Sequence, residues 1–446
     1  SSAASDVYKR QDNSRFVKYL LQKSPAFRKS TQKIIASGGW MCYNVEEMVV
    51  CTRKCFPHIL KIEAFVHLLQ NGNQQIFSVY GYKILREDVN MNQKRLQQVL
   101  ENMKKAGLEQ IIVTETEPVY YLTGIWVAPL ERMMAVYIHS SGKVTFFGNK
   151  LFGVQPQEGM ELVEHTDSDD PVAQLAQSVQ PGKLGIDETW PSCFLIGLMA
   201  HRPDVQPVMG SLPVEQATMY KDEEERELMR NASRINDACM DMVIHAVHEG
   251  ATERELSTKV ENFFKEHGCN SLGFSIVGMG KNGADPHHDA DSTVLQPGDS
   301  IVLDIGAPFG HYWCDMTRTI FYRSVSEEQR KVYETVRRAN EAAIAIIKPG
   351  VAFKEFDLAA RKVIEDAGYG EYFTHRTGHS IGMKEHERPT VSSESETIAR
   401  PGMVFSIEPG IYLPGNFGVR IEDLVLVTED GCEVLNRYTK DLIVVE

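Results

Sequence analysis

Pro401-Gly402-Met403-Val404-Phe405-Ser406-Ile407-Glu408-Pro409-Gly410, followed by Gly418-Val419-Arg420-Ile421-Glu422-Asp423, decides how this chain is read. Each run is apolar and strand-like and delivers a glutamate near its end. A carboxylate beside Phe, Ile and Val is costly to bury unless something positive meets it. Two of them, fourteen positions apart, point to one shared cation site. An earlier segment, Pro297-Gly298-Asp299-Ser300-Ile301-Val302-Leu303-Asp304, has the same design: a Pro-Gly turn, an apolar strand, and an acid six residues after the glycine. A second acid follows each, Asp315 after eleven residues and Glu422 after fourteen. The repeat reads as a duplicated half-domain whose pseudo-twofold brings Asp304, Asp315, Glu408 and Glu422 together.

Four carboxylates repel too strongly to converge without about two divalent cations. With a histidine from Thr374-His375-Arg376-Thr377-Gly378-His379 they form an oxygen-rich site with one imidazole. Such ligation suits Mn²⁺, Fe²⁺ or Co²⁺ and is unlike a thiolate-rich structural zinc site. Two such ions can share a bridging hydroxide and clamp a tetrahedral intermediate. The competing reading is that some of these acids cap helices or pair on the surface.

Two other motifs are decoys. Gly278-x-Gly280-x-x-Gly283 copies the dinucleotide fingerprint, but Ala284-Asp285-Pro286 stands where a helix must begin, so no helix N-terminus awaits a pyrophosphate. A glycine-rich loop placing His287 and His288 is the better reading. Gly378-His379-Ser380-Ile381-Gly382 spells a nucleophile elbow, which makes a serine hydrolase the rival class. That fold orders its triad Ser, Asp, His. Here the histidine downstream of Ser380 is His386, and it precedes any aspartate. Cys314 adjoins Asp315 on a strand and should face the core, His311 reads as solvated in a loop, and Met133–Tyr137 reads as core.

The chain has 446 residues, 42% of them hydrophobic, enough for two domains. A net charge of −14 disfavours a nucleic-acid or anionic-membrane binder. The charge is uneven: residues 1–90 hold 13 Lys and Arg against 7 Asp and Glu, and the remainder 34 against 54. Eight cysteines without a Cys-x-x-Cys fit a reduced, cytoplasmic chain better than a disulfide framework. No apolar run of about 18 residues is present to span a membrane.

Residues 1–90 show no sustained period and read as a non-native or disordered leader, with the functional protein starting near Met91. There Leu96, Val99, Leu100 and Met103 share one helical face. From residue 91 to 216 an α/β domain is expected, with strands at Gln110–Val113, Val119–Leu122, Met133–Ile138, Val144–Phe147 and Leu184–Ile186 and a helix near Val172–Val179. It offers no ligand cluster and suits a cap or dimerisation role. Residues 217–446 open with a helix from the charge run at Lys221 to about His248. Capping boxes at Thr252-x-x-Glu255 and Ser326-x-x-Gln329 start two more helices, and another spans Phe353–Ala367 before Gly368.

Taken in order, Asp304-Ile305-Gly306, Asp315-Met316-Thr317-Arg318-Thr319, Gly378-His379-Ser380-Ile381-Gly382 with His386-Glu387, Ser406-Ile407-Glu408-Pro409-Gly410-Ile411-Tyr412 and Gly418-Val419-Arg420-Ile421-Glu422-Asp423 resemble the pita-bread metallopeptidases. The chain is most similar to short bacterial Xaa-Pro dipeptidases (prolidases), with Xaa-Pro aminopeptidases next. The likeness runs from about Met91 to Glu446 and includes Tyr120-Tyr121-Leu122-Thr123-Gly124 and Glu131-Arg132. It implies a creatinase-like amino-terminal α/β domain, a pseudo-twofold pita-bread catalytic domain, and a homodimer. It also implies two divalent metal ions, with Mn²⁺ first and Co²⁺ or Fe²⁺ as alternatives, and a peptide substrate with proline second.

By position, the resemblance makes Asp304 a chelator of one metal, Asp315 and Glu422 bridges, and His379 and Glu408 ligands of the second. Glu408 would also handle the proton of the attacking water. His287 and His386 would steady the substrate carbonyl, and Arg420 would meet the substrate carboxylate. Departures are few: family members often carry glycine at Ser380, and a hydrophobic-valine pair where Lys384-Glu385 precede His386. An inactive binding protein of the same fold should have lost a ligand, and none is lost.

Overall fold

The computed structural model describes residues 91–446; the expectation of a non-native leader concerns residues outside this range. The amino-terminal part is a six-stranded mixed sheet, ordered β4-β3-β2-β1-β5-β6. Its strands are β1 (Gln110–Val113), β2 (Ala135–His139), β3 (Val144–Asn149), β4 (Glu161–His165), β5 (Gly182–Ile186) and β6 (Val205–Met209). Helices α1 (Gln93–Ala106), α2 (Thr116–Thr123), α3 (Pro171–Ala176), α4 (Ser192–His201) and α5 (Leu212–Thr218) cover it. In β1, Ile111 and Val113 face one apolar cluster and Ile112 the other, the alternation of a strand buried on both faces. The expected face of α1 is buried at Leu96, Val99 and Met103.

Val119–Leu122, expected as a strand, is the body of helix α2. A short apolar run does not distinguish helix from strand, so its flanks decide. Pro118 lies in the first turn, where its missing N–H is no loss. Gly124, at φ +67°, ends the helix and donates to Tyr120 O at 2.7 Å.

Two similar halves make up the rest. The first has α6 (Glu223–His245) and α7 (Glu253–Glu266) on a sheet of β7 (Phe274–Met279), β8 (Ser300–Phe309) and β9 (Tyr312–Tyr322). The second has α8 (Glu327–Ala345) and α9 (Phe353–Asp366), then β10 (Gly378–Ser380), β11 (Glu387–Val391), β12 (Val404–Ile407), the hairpin β13 (Gly410–Leu413) and β14 (Phe417–Arg420), β15 (Asp423–Val427) and β16 (Cys432–Val434). A short β17 (Val444–Val445) joins β9, and the larger sheets run β17-β9-β8-β7 and β11-β10-β12-β15-β16. Each half packs its helices on its sheet as a separate apolar cluster. Both Pro-Gly turns place glycine at φ +91°, a conformation other residues rarely adopt. The fold is therefore an α/β amino-terminal domain followed by a second α/β domain with internal pseudo-twofold repetition.

The capping signals divide. Ser326 and Gln329 form the full reciprocal box, as do Asp222 and Glu225 at the start of the charge run. Thr252 accepts from Glu255 N at 3.2 Å, but the Glu255 carboxylate turns to His248, 3.0 Å away, so only half a box forms. His311, expected in solvent, is half-buried. It sits with Gly310 in the two-residue β8–β9 turn, both at positive φ. That turn directs its ring against Trp126 at 4.1 Å and Tyr120 at 4.4 Å.

Candidate metal centre

Register explains why the acids meet. In the β8–β9 ladder Asp304 pairs with Thr317 and Gly306 with Asp315, so the two aspartates are diagonal neighbours on one face. In the β12–β15 ladder Ile407 pairs with Asp423, which sets Glu408 and Glu422 side by side at the ladder's end. The fourteen-residue spacing is the length of the β13–β14 hairpin excursion between them. Glu422 N donates to Thr317 O at 3.1 Å and ties the two halves together there. His379 enters from β10, where Gly378 is required because a Cβ would run into the Ser406 carbonyl.

The side chains converge as this backbone dictates. His379 Nε2 lies 3.5 Å from Glu408 Oε1 and 3.8 Å from Asp315 Oδ2. Atoms of Asp315, His379 and Glu422 stand within 4.8 Å of one another, close enough to share an ion. Thr317 Oγ1 donates to Glu422 Oε2 at 2.7 Å, and Ser406 Oγ to Glu408 Oε1 at 3.1 Å. Asp304 Oδ1, Asp315 Oδ1 and Glu422 Oε1 are buried with no hydrogen-bond partner. An anionic oxygen is rarely buried bare. Asp315 and Glu422 beside the His379 imidazole, with Asp304 diagonal to Asp315, fit a divalent-cation centre, since these ligands are oxygen with one nitrogen.

The electrostatics agree. Burial, then Glu422 and Asp304, hold the Asp315 carboxyl well above its ordinary range. Burial, then Glu408 and Asp304, do the same to Glu422. Burial pushes Glu408 up to about 7, although Arg420 opposes the rise. His379 is pushed down to about 3 by burial, with His386 adding to the effect, so its ring is neutral and ready to ligate.

Within the protein, Arg420 is held by three partners that the sequence did not suggest. Nη2 donates to Asp304 Oδ2 at 2.6 Å, Nη1 to the Tyr412 hydroxyl at 2.8 Å and Nε to Thr317 Oγ1 at 3.2 Å. His375 Nε2 lies 2.9 Å from the same hydroxyl, giving an Asp304-Arg420-Tyr412-His375 chain. Sequence reasoning gave Tyr412 no role and His375 only that of the alternative to His379 as the single imidazole, although both stand inside quoted motifs. Arg318 was missed too. It is buried, pairs with Asp423 at 2.7 Å and donates to Glu422 O at 2.6 Å, fixing the backbone of that acid. Its signal was an arginine amid the apolar residues of a central strand.

His386 stands at the rim, its ring 4.2 Å from that of His379. Burial and the nearby Arg376 and His287 lower its pKa. His287 is exposed on the loop after β7. The decoys resolve: Gly280–Ala284 is a 3₁₀ turn. Ser380 is buried and donates to Pro389 O at 2.7 Å, bound into the sheet instead of facing a base.

This arrangement defines a class: an α/β domain ahead of a duplicated catalytic domain with a carboxylate-rich cation centre is a metallopeptidase. The model of metallopeptidase family M24 matches residues 227–429, and that of the creatinase/prolidase N-terminal domain matches residues 95–217. YkvY of Bacillus subtilis (strain 168), which carries a provisional dipeptidase name, is 34% identical over 360 residues, covering 78% of this chain and 99% of its own. The crystal structure of recombinant prolidase from Thermococcus sibiricus superposes with a TM-score of 0.75 at 34% identity, over 80% of this chain and 100% of that one. An Xaa-Pro dipeptidase from Bacillus anthracis gives 0.73 at 30%, over 79% and 99%. The chain belongs to metallopeptidase family M24, the divalent-metal peptidases of pita-bread fold.

Proposed function

We propose that this chain is an Xaa-Pro dipeptidase, hydrolysing the bond between an amino-terminal residue and proline. The observation that carries the reading is the pair of partnerless carboxylate oxygens on Asp315 and Glu422 beside the neutral His379, with a third on Asp304, the diagonal neighbour of Asp315. The printed names of its relatives supply the substrate class. Residues 91–216 act as the creatinase-type domain and 217–446 as the catalytic domain. Asp304, Asp315, His379, Glu408 and Glu422 would hold two divalent cations, with Mn²⁺ the first candidate and Co²⁺ or Fe²⁺ the others. When bound, such cations supply water activation at neutral pH and polarisation of the scissile carbonyl.

The protein's own groups do the rest. Glu408, whose carboxylate is held by Ser406 Oγ and lies 3.5 Å from His379, is placed to take a proton from the attacking water and return it to the proline nitrogen. That nitrogen belongs to a tertiary amide without an N–H, so protonation at cleavage matters. His287 and His386, at the open side, donate to the carbonyl and the developing oxyanion. Arg420 holds Asp304 in place with one of the three N–H groups it has engaged, and its two remaining N–H groups are the ones that would meet the substrate carboxylate. We also propose a homodimer in the cytoplasm; among the described residues no helix is long and apolar enough to cross a membrane.

Hydrolysis of Ala-Pro against Ala-Pro-Ala, with Mn²⁺ and after chelation, tests the reading. Faster Mn²⁺-dependent cleavage of the dipeptide is expected. A clear preference for the tripeptide would move the assignment to Xaa-Pro aminopeptidase, and activity surviving exhaustive chelation would end the metal mechanism.

A further inference from the structure

A carboxylate at the first position of a helix is ordinarily a surface group that meets the helix dipole. Glu253, which opens α7, is instead fully buried. Its Oε1 accepts from Met279 N at 2.8 Å and from Asn282 Nδ2 at 3.0 Å. Its Oε2 lies 2.7 Å from His288 Nε2 and accepts from Asp291 N at 3.1 Å. These partners stand before, early in, midway along and near the end of the loop over residues 280–292. That loop presents His287. Glu253, His288 and Asp291 lie close enough to hold a cation. However, both Glu253 oxygens are already filled by donors, unlike the bare oxygens of the centre.

Helix α9 takes the equivalent place in the second half. Phe353 N meets Thr397 O at 2.8 Å, just as Glu253 N meets Thr293 O at 3.3 Å. The buried acid here lies one turn further in, at Asp357, so the repeat did not simply copy it. Asp357 Oδ1 accepts from Thr377 N at 3.0 Å and Thr377 Oγ1 at 2.7 Å. Its Oδ2 accepts from Arg361 Nε at 2.7 Å, and Arg361 donates onward to Phe373 O at 3.2 Å and His375 O at 2.5 Å. Residues 373–377 are thus gripped by an acid-arginine pair just before His379. Thr377 O in turn accepts from Glu408 N at 2.8 Å.

We propose that Glu253 and Asp357 are positioning residues with divided duties. Glu253 fixes the loop that sets His287 over the substrate, and Asp357 fixes the segment that sets His379 and Glu408 on the cations. The division rests on the peptidase reading above for what those three groups do. A structural role alone would make both variants lose stability, metal and activity in step. Divided duties separate them.

The test uses the full chain as Glu253→Gln and Asp357→Asn, titrated with Mn²⁺ by calorimetry, assayed on Ala-Pro, and melted. Asp357→Asn should weaken Mn²⁺ binding by about 10- to 100-fold, the range for groups that orient metal ligands. Glu253→Gln should keep the Mn²⁺ stoichiometry and affinity of wild type and lower kcat/KM by about 100-fold, the scale of a 1 Å misplacement. Equal loss of Mn²⁺ affinity in both variants, or no loss in either, overturns the proposal. If Glu253→Gln does not fold, Asn282→Ala removes one of the four contacts and should lower kcat/KM with Mn²⁺ affinity intact; loss of affinity there counts against the proposal. Wild type inert toward every Xaa-Pro peptide would sink the peptidase reading alone, because the Mn²⁺ contrast between variants still decides the positioning claim.

Discussion

Arg420 Nη2 lies 2.6 Å from Asp304 Oδ2, with the guanidinium almost wholly sealed from solvent. Two further donors of the same fork are held by Tyr412 and Thr317. The arginine is thus built into the centre as the counter-charge of one of its acids. Breaking such a pair leaves a buried carboxylate uncompensated.

Arg420→Lys, which trades a planar fork for a point charge, should therefore weaken Mn²⁺ binding and lower kcat. The check is the rate on Ala-Pro divided by that on Ala-Pro amide. An unchanged ratio in the variant assigns Arg420 to Asp304, whereas a ratio collapsing toward one returns it to the substrate carboxylate.

Glu422 and Glu408 are neighbours with different expected tasks. Glu422→Gln should lower the content of both cations, measured by elemental analysis after dialysis. Glu408→Gln should keep nearer wild-type metal content while kcat falls by about 10²- to 10⁴-fold, the usual contribution of a general acid-base group. Parallel behaviour of the two variants would contradict the division.

His311 gives an acid limb to stability. Burial lowers its pKa from 6.5 to about 4, so folding favours the neutral ring. Its contribution is full above 6.5 and is lost as pH falls toward 4. His311→Asn, which tolerates the positive φ, should lower Tm at neutral pH and flatten the decline of Tm between pH 6.5 and 4. An unchanged slope would discard this group as the cause.

Lys221 Nζ pairs with Glu387 Oε2 at 2.8 Å, and both side chains are largely buried beside the turn that carries His386. Lys221→Met should cost about 3–5 kcal/mol in urea unfolding, because one charge is left buried alone. Lys221→Met with Glu387→Leu should recover most of that loss. If the double variant is no more stable than the single, the pair is not the source.

The four acids were legible in the chain because a carboxylate that ends or follows an apolar strand-like run after a Pro-Gly turn is conspicuous, whereas the spacing left His375 and His379 both open and only the family resemblance singled out His379. The Pro-Gly turns were equally plain, since both need a glycine at positive φ. Val119–Leu122 was not: four apolar residues fit either helix or strand, and Pro118 and Gly124 settled the matter as helix. His311 was misread because a turn residue is polar by habit, and only the domain contact reveals Trp126 and Tyr120 waiting for its ring.

Sequence alone determined the repeat, the acids and their order along two strand pairs, for these are local patterns of side-chain type. Tertiary structure decided who meets whom. Ladder register placed Asp304 diagonal to Asp315 and Glu408 beside Glu422. It gave Arg420 to Asp304, and it buried Glu253 and Asp357 under the histidine segments. Those pairings join residues distant in the chain, and their energy comes from geometry and desolvation that no spacing encodes. The opening glutamates announced a cation site; the fold shows which of its neighbours hold it in shape.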